Sequence, residues 1–85
     1  MTRKERLLTR ILSGAADQNV RFADLCGLLR DLGFNERIRG SHHIFTRADI
    51  EEILNLQPRE GGLAKPYQVR QVRNVFVTYK LTGDR

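Results

Sequence analysis

The chain has 85 residues, of which 40% are hydrophobic and 29% are charged, and its formal net charge is +5. A chain of this length has room for one hydrophobic core, so we expect a single globular domain. No segment approaches the roughly 20 apolar residues of a membrane span, and no secretory signal pattern opens the chain, so we expect a cytoplasmic protein without a membrane partner. The positive charge favours a polyanionic partner such as nucleic acid but does not require one.

The first predicted element is a short amphipathic helix over residues 4–12, with leucines and isoleucine on one side and arginines on the other. Ser13-Gly14 ends it, and residues 15–19 are a predicted linker. We interpret residues 1–19 as an N-terminal helical extension and linker, and residues 20–85 as the domain. How much the extension contributes to the core is left open by the sequence.

The clearest helical pattern follows, from Phe22 to Leu32, with Gly33 in the position of a C-cap. Cys26 lies in the apolar stripe of this helix and is the single cysteine, so we interpret it as a core residue that forms no internal disulfide. One cysteine and two adjacent histidines do not supply the spaced ligand pairs of a zinc site. We therefore predict no metal and no cofactor.

A β-hairpin is predicted next, with strands at residues 36–39 and 42–47 around Gly40-Ser41, a loop typical of a type II′ turn. The turn fixes the register, which places His43 opposite Ile38. Side chains then alternate between two faces of the hairpin. The face predicted to pack on the helices carries Ile38, His43 and Phe45, and the other face carries Arg37, Arg39, His42, Ile44 and Thr46.

A third strand is predicted at residues 53–56, followed by a flexible loop at residues 59–64 and a final helix that begins near Pro66. Its apolar stripe consists of Val69, Val72, Val75, Phe76 and Tyr79. The order helix, three antiparallel strands, helix predicts an α+β fold with the αβββα layout of double-stranded-RNA-binding domains, both helices lying on one face of the sheet. Such a fold does not by itself give the function.

The segment of residues 39–45 is the best candidate for chemistry, because histidine exchanges protons near neutral pH. RNA cleavage without metal needs a base for the 2′-hydroxyl and positive charge for the phosphorane, which neighbouring arginines and turn amides can supply. A histidine in a strand is nevertheless more often structural. The sequence offers no evident second acid or base, since we interpret Asp49, Glu51 and Glu52 as turn and surface residues.

Three motifs occur in order: FADLCGLLRDLGF at residues 22–34, RGSHHIF at 39–45, and LQP at 56–58 followed by AKPYQVRQVR at 64–73. Together they resemble the HicA-type toxins, the small RNA-cleaving members of bacterial toxin–antitoxin pairs. The resemblance implies that His43 is catalytic, that Gly40 and Ser41 form the turn that positions it, and that His42 flanks it. It also implies that the substrate is mRNA and that a HicB-type antitoxin protein covers the active site.

The predicted function is therefore that of a metal-independent endoribonuclease acting on mRNA as the toxin of a toxin–antitoxin system. Two alternatives stay open, a non-catalytic RNA-binding module of the same fold and a protein-interaction domain whose basic face docks an acidic partner. For Arg70 and Arg73, a solvated helix face is an equally good interpretation. The predicted RNA-binding residues are Arg37, Arg39, Gly40, Ser41, His42, Lys65, Arg70 and Arg73.

Overall fold

A computed structural model of the chain describes residues 2–82. These residues form an α+β fold with three α-helices and a three-stranded antiparallel sheet, in the predicted order. The elements are α1 (Arg3–Ser13), α2 (Phe22–Asp31), β1 (Asn35–Arg39), β2 (His42–Arg47), β3 (Ile50–Leu56), β4 (Pro58–Arg59), β5 (Leu63–Ala64) and α3 (Pro66–Thr78). Within residues 2–82, none of the helices has the length and apolar character that a membrane span needs.

The first helix is part of the hydrophobic core. Its start is fixed by a capping box, in which Thr2 and Glu5 each accept a hydrogen bond from the other's backbone N–H. Leu8 and Ile11 are buried, and α1 packs against both α2 and α3. The first helix therefore contributes to the core, which the sequence left open. The domain boundary at residue 20 stays a prediction.

The second helix ends as its sequence predicts. Gly33 has φ 91°, and it donates its backbone N–H to the carbonyl of Arg30, while Phe34 donates to the carbonyl of Leu29. This pair of hydrogen bonds is a Schellman motif, and the buried side chains of Phe34 and Leu29 fit the apolar contact that accompanies it. The positive φ requires glycine at this position.

Replacing Gly33 with alanine should therefore destabilise the protein by about 1–2 kcal/mol, the cost of a left-handed backbone for a residue with a Cβ. In thermal unfolding this corresponds to a lower Tm by about 4–16 °C for a domain of this size. The matched control is Gly27→Ala in the same helix, where the nearest atom to an added Cβ is 4.0 Å away. Since alanine has the higher helix propensity, the control should raise Tm or leave it unchanged.

The hairpin has the predicted register. Ile38 pairs with His43 and Arg39 with His42, and Gly40 has φ 59° while Ser41 is not among the residues with positive φ, as in a type II′ turn. One prediction about this hairpin is wrong. Ile38 lies on the predicted inner face but is 60% exposed, because β1 is an edge strand and its turn end is not covered by the helices.

The third strand is longer than predicted and begins at Ile50, with a register shift between Phe45 and Arg47 where it pairs with β2. The segment predicted as a flexible loop contains the short ribbon β4–β5, which the pattern of its residues did not indicate. Val20 accepts a backbone hydrogen bond from Ala64, so this ribbon is joined to the chain before α2.

The core lies between the helices and one face of the sheet. The inner face contributes Phe45, Leu54 and Leu56, and the predicted stripe of α3 is buried from Val69 to Phe76. The opposite face, which we call the outer face, is open to solvent: Arg37, Arg39 and His42 are exposed and Ile53 is 65% exposed. The sheet therefore presents His43 toward the helices and the hairpin arginines toward solvent.

Candidate active site

The side chain of His43 lies on the inner face of the sheet at the margin of the core. Its neighbour on the helical side is Phe22, the first residue of α2, whose ring meets the imidazole edge-on with 4.9 Å between centroids. About a quarter of the His43 side chain, 24%, stays exposed. The ring is thus held in place by an aromatic contact while one side of it remains accessible.

A carboxylate holds one nitrogen of this ring. Nδ1 of His43 lies 2.7 Å from Oε2 of Glu36, and Arg30 donates to the other carboxylate oxygen of Glu36. Burial alone would raise the pKa of Glu36, but the hydrogen bonds from His43 and Arg30 lower it below its ordinary value. An ionised carboxylate can only accept, so the neutral imidazole carries its proton on Nδ1 and presents the lone pair of Nε2.

The second ring nitrogen is free for chemistry. Among residues 2–82, no partner of Nε2 is present, and every buried side-chain nitrogen or oxygen in that range has a hydrogen bond. Nε2 is therefore reached by solvent. A histidine oriented by a carboxylate through Nδ1 and open at Nε2 is an arrangement that accepts a proton from a bound hydroxyl.

Glu36 is the partner that the sequence analysis did not find. The signal was present in the register, because Ile38 is opposite His43 and Glu36 lies two residues before Ile38 on the same face. Such a diagonal pair is within reach of long side chains. The register did not indicate Arg30, which lies on α2 and forms an ion pair with the second carboxylate oxygen of Glu36.

The turn that carries the two histidines is braced from β3 and α3. Ser41 accepts a hydrogen bond of 2.8 Å from the side-chain amide of Gln57, and the amide oxygen of Gln57 accepts one of 3.1 Å from Lys65. Lys65 is thereby placed close to the turn, and its role in RNA binding stays a prediction. Gln57 was not among the predicted site residues.

A buried glutamine, also missed by the sequence analysis, fixes this bracing. Gln68 is only 5% exposed; its amide oxygen accepts from the backbone N–H of Gln57 and its amide nitrogen donates to the carbonyl of Asn55. These two hydrogen bonds join the first turn of α3 to the end of β3. On the outer face, the side chain of Asn55 lies 3.0 Å from Nδ1 of His42.

The predicted RNA-binding residues do not form one cluster. Gly40, Ser41 and Lys65 lie at the turn, whereas Arg37, Arg39 and His42 point from the outer face, away from the ring of His43. Arg70 is exposed beside the segment of residues 14–19. The hairpin end and the outer face are therefore separate surfaces that meet at the turn.

Arg73 holds α3 against the end of α1 instead of pointing into solvent. Its guanidinium donates to both carboxylate oxygens of Asp17, at 2.9 and 3.0 Å, and to the carbonyl of Ile11 at 3.0 Å. The hydrogen bond to Asp17 raises the pKa of Arg73 further above its usual range. Because these contacts tie α3 to the end of α1, we leave Arg73 out of the proposed RNA-binding surface.

Cys26 completes the surroundings of His43. Its thiol, a carboxylate oxygen of Glu36 and a ring nitrogen of His43 lie within 4.8 Å of one another. Burial, with the nearby charge of Glu36, raises the pKa of the Cys26 thiol to about 11, so the thiol is protonated at neutral pH. The three residues come from α2, β1 and β2, and their meeting was not predicted.

Comparison of the chain with models of known families, with curated proteins and with solved structures finds no match. The function is therefore argued from the geometry of this site and from the motifs.

Proposed function

We propose that the protein is an endoribonuclease toxin of the HicA type with a fold like that of double-stranded-RNA-binding domains, and that His43 is its catalytic residue. The observation that carries the proposal is the 2.7 Å contact between Nδ1 of His43 and Glu36, together with the free Nε2. A histidine needed only for packing would not require one nitrogen held by an ionised carboxylate and the other left open to solvent.

In the proposed reaction, Nε2 of His43 takes the proton of a ribose 2′-hydroxyl. The 2′-oxygen attacks the adjacent phosphorus, the bond from phosphorus to the 5′-oxygen breaks, and the leaving oxygen takes a proton from solvent. The imidazolium then returns its proton to solvent, which restores the neutral ring. Glu36 stays ionised and stabilises the imidazolium while it exists. The products are a 2′,3′-cyclic phosphate and a 5′-hydroxyl, and the reaction requires no metal.

Positive charge for the phosphorane is available at the hairpin end. The ammonium group of Lys65 is held beside the turn by the amide oxygen of Gln57. Such a group stabilises a developing phosphorane because it is already fixed in place when the charge forms. Arg39, at the last position of β1, lies on the outer face, so we assign it to phosphate binding away from the reacting centre. Phosphate contacts by these side chains would also make RNA binding weaken with salt.

The exposed side chain of Ile38 supports the proposed partner. It lies directly opposite His43 in the hairpin and is 60% exposed, so apolar surface adjoins the candidate catalytic ring. A HicB-type antitoxin that covers this ring would bury Ile38 at the same time. We therefore place Ile38 at the centre of the proposed antitoxin interface.

The test is cleavage of a defined RNA by the purified protein in the presence of EDTA, with the product ends identified by phosphatase and kinase treatment. We expect cyclic phosphate and 5′-hydroxyl ends and a rate that falls as salt rises. Products with a 5′-phosphate, or cleavage that disappears in EDTA, would contradict the proposal.

The charge-neutral variant Glu36→Gln tests the role of the carboxylate. It removes the charge that orients His43, and we expect kcat to fall by about 100-fold, the order of loss that follows from misplacing a reacting group. KM should stay unchanged, because both carboxylate oxygens of Glu36 are already held by Arg30 and His43. Glu52→Gln is the control: its carboxylate accepts a hydrogen bond from Tyr79 elsewhere on the sheet, and kcat should be unaffected.

One observation favours a second candidate function, a non-catalytic RNA-binding module. Arg37, Arg39 and His42 form an exposed basic group on the outer face, where the ring of His43 does not point. RNA bound there would need no catalytic histidine. This candidate predicts salt-sensitive RNA binding without cleavage, and binding that Arg37→Ala weakens while His43→Ala does not.

A further inference from the structure

Three metal-binding side chains of different kinds, those of Cys26, Glu36 and His43, lie close together. We propose that Cys26, Glu36 and His43 form an inhibitory site for a divalent cation of the zinc class. The ligand atoms of the three residues already lie within 4.8 Å of one another, so small side-chain rotations bring them onto one ion. That the ion inhibits rests on the proposed function, whereas the binding itself does not.

The donor set selects the class of metal. A thiolate, an imidazole nitrogen and a carboxylate oxygen together are a mixed set that suits zinc, whereas magnesium and calcium prefer oxygen ligands alone. Three protein ligands leave a fourth tetrahedral position for water or for a substrate phosphate oxygen. The sequence predicts no metal because its cysteine and histidines lack the paired spacing of common zinc sites. These three ligands are instead contributed one each by α2, β1 and β2.

The three ligand side chains differ in their exposure to solvent. Cys26 is 3% exposed, whereas the side chains of Glu36 and His43 are 13% and 24% exposed, so solvent reaches the cluster at Glu36 and His43. Arg30 holds one oxygen of Glu36, and the other contacts Nδ1 of His43. Its positive charge opposes a cation, so the site favours metals whose bond to thiolate is strong.

Binding proceeds without an oxidant or reductant. The S–H bond of Cys26 breaks, the sulfur keeps the electron pair and bonds to the metal, and the proton passes to the buffer. If Nδ1 of His43 binds the metal, its proton leaves and the other nitrogen is protonated from water. If Nε2 binds, the base itself is occupied. In either case Nε2 can no longer accept the 2′-hydroxyl proton, so cleavage stops.

Cobalt(II) is the probe for the site, because its bond to a thiolate gives a charge-transfer absorption that carboxylate and imidazole ligands do not. Titration of the metal-free full-length chain should show this absorption saturating at one cobalt per chain, and zinc should displace it. Zinc should also raise Tm, as any ligand of the native state does. In the cleavage assay, zinc should inhibit and EDTA should restore the rate.

Cys26→Ala is the decisive variant, since Cys26 takes no part in the proposed reaction. It should lose the cobalt absorption, bind zinc at least about tenfold more weakly and cleave RNA at the unaltered rate with zinc present. Cys26→Ser provides a second variant of nearly native volume if the alanine variant unfolds. His42→Ala removes a histidine from the outer face and should leave metal binding unchanged.

The outcomes separate the two proposals. The metal site would be overturned, and the nuclease left intact, by an unaltered chain that cleaves RNA in EDTA but is not inhibited by zinc in EDTA-free buffer. Such a chain would also show no thiolate absorption with cobalt and no rise in Tm with zinc. Cobalt absorption that depends on Cys26 in a protein that cleaves no RNA would establish the site and reject the proposed function. Absorption that persists in both Cys26 variants would overturn the assignment of the thiolate ligand.

Discussion

Replacing His43 with alanine is expected to lower RNA cleavage by about 10²–10⁴-fold, the usual contribution of a positioned acid or base. The physical reason is that the two titratable groups beside His43 cannot take its place: Glu36 is held by Arg30, and the Cys26 thiol is protonated and buried. The measurement is the single-turnover rate on a defined RNA in EDTA. Induced expression should give the same result, with growth arrest by the unaltered chain and growth with the variant.

The neighbouring histidine provides the matched comparison. His42→Ala removes the same side chain from the other face of the same strand, where it contacts Asn55. If His42 touches RNA, the loss should appear in KM and leave kcat intact. His43→Gln keeps a polar side chain against Phe22 and distinguishes lost chemistry from lost packing, with Tm as the check. Equal cleavage by the His43 variants and the unaltered chain would reject His43 as the catalyst.

The hairpin could be predicted in detail because its determinants are local. A glycine in the first position of a two-residue loop sets the turn, the turn sets the register, and strict alternation then assigns each side chain to a face. The positions of His42 and His43 on opposite faces follow from this alone. The second helix was predictable for the same reason, since its apolar stripe and Gly33 lie within one short segment.

The hairpin register already places Glu36 diagonal to His43, but the contacts with Arg30 and Cys26 could not be predicted, because they depend on how α2 is placed on the sheet. Arg30 meets Glu36, and Cys26 comes close to Glu36 and His43, only after α2 has packed on the sheet. Hydrophobic periodicity says which side of a helix is buried but not which residue it meets. The bracing of the turn by Gln57, Lys65 and Gln68 likewise joins β3 to α3. From sequence alone, polar residues such as these three are expected to be exposed at the surface.

The first helix is a different case, because its pattern predicts the helix but leaves its contribution to the core open. Its short length and position before a linker-like segment suggested an extension. In the structure, Ile11 is fully buried and its carbonyl is held by Arg73, which also binds Asp17. The segment of residues 15–19 therefore connects two parts of one core, while the predicted boundary at residue 20 stays a prediction.

Ile11→Ala is accordingly expected to destabilise the protein by about 2–5 kcal/mol, the range for truncating a fully buried isoleucine. A domain of this size is stable by only about 4–13 kcal/mol, so the variant should unfold at a Tm lower by about 8 °C or more. Denaturant and thermal unfolding measure the loss directly, and RNA cleavage at low temperature should be retained because the change is remote from His43.

The control for this variant is Arg6→Ala, an exposed position on the same helix, which should change stability by less than about 0.5 kcal/mol. A chain lacking residues 1–19 extends the test, because it removes Leu8, Ile11 and the carboxylate of Asp17 together. If that shortened chain melted at the Tm of the full chain, α1 would be an appendage after all. If it unfolds, residues 20–85 need α1 to complete the core that holds α2, and with it Phe22 and Arg30, beside Glu36 and His43.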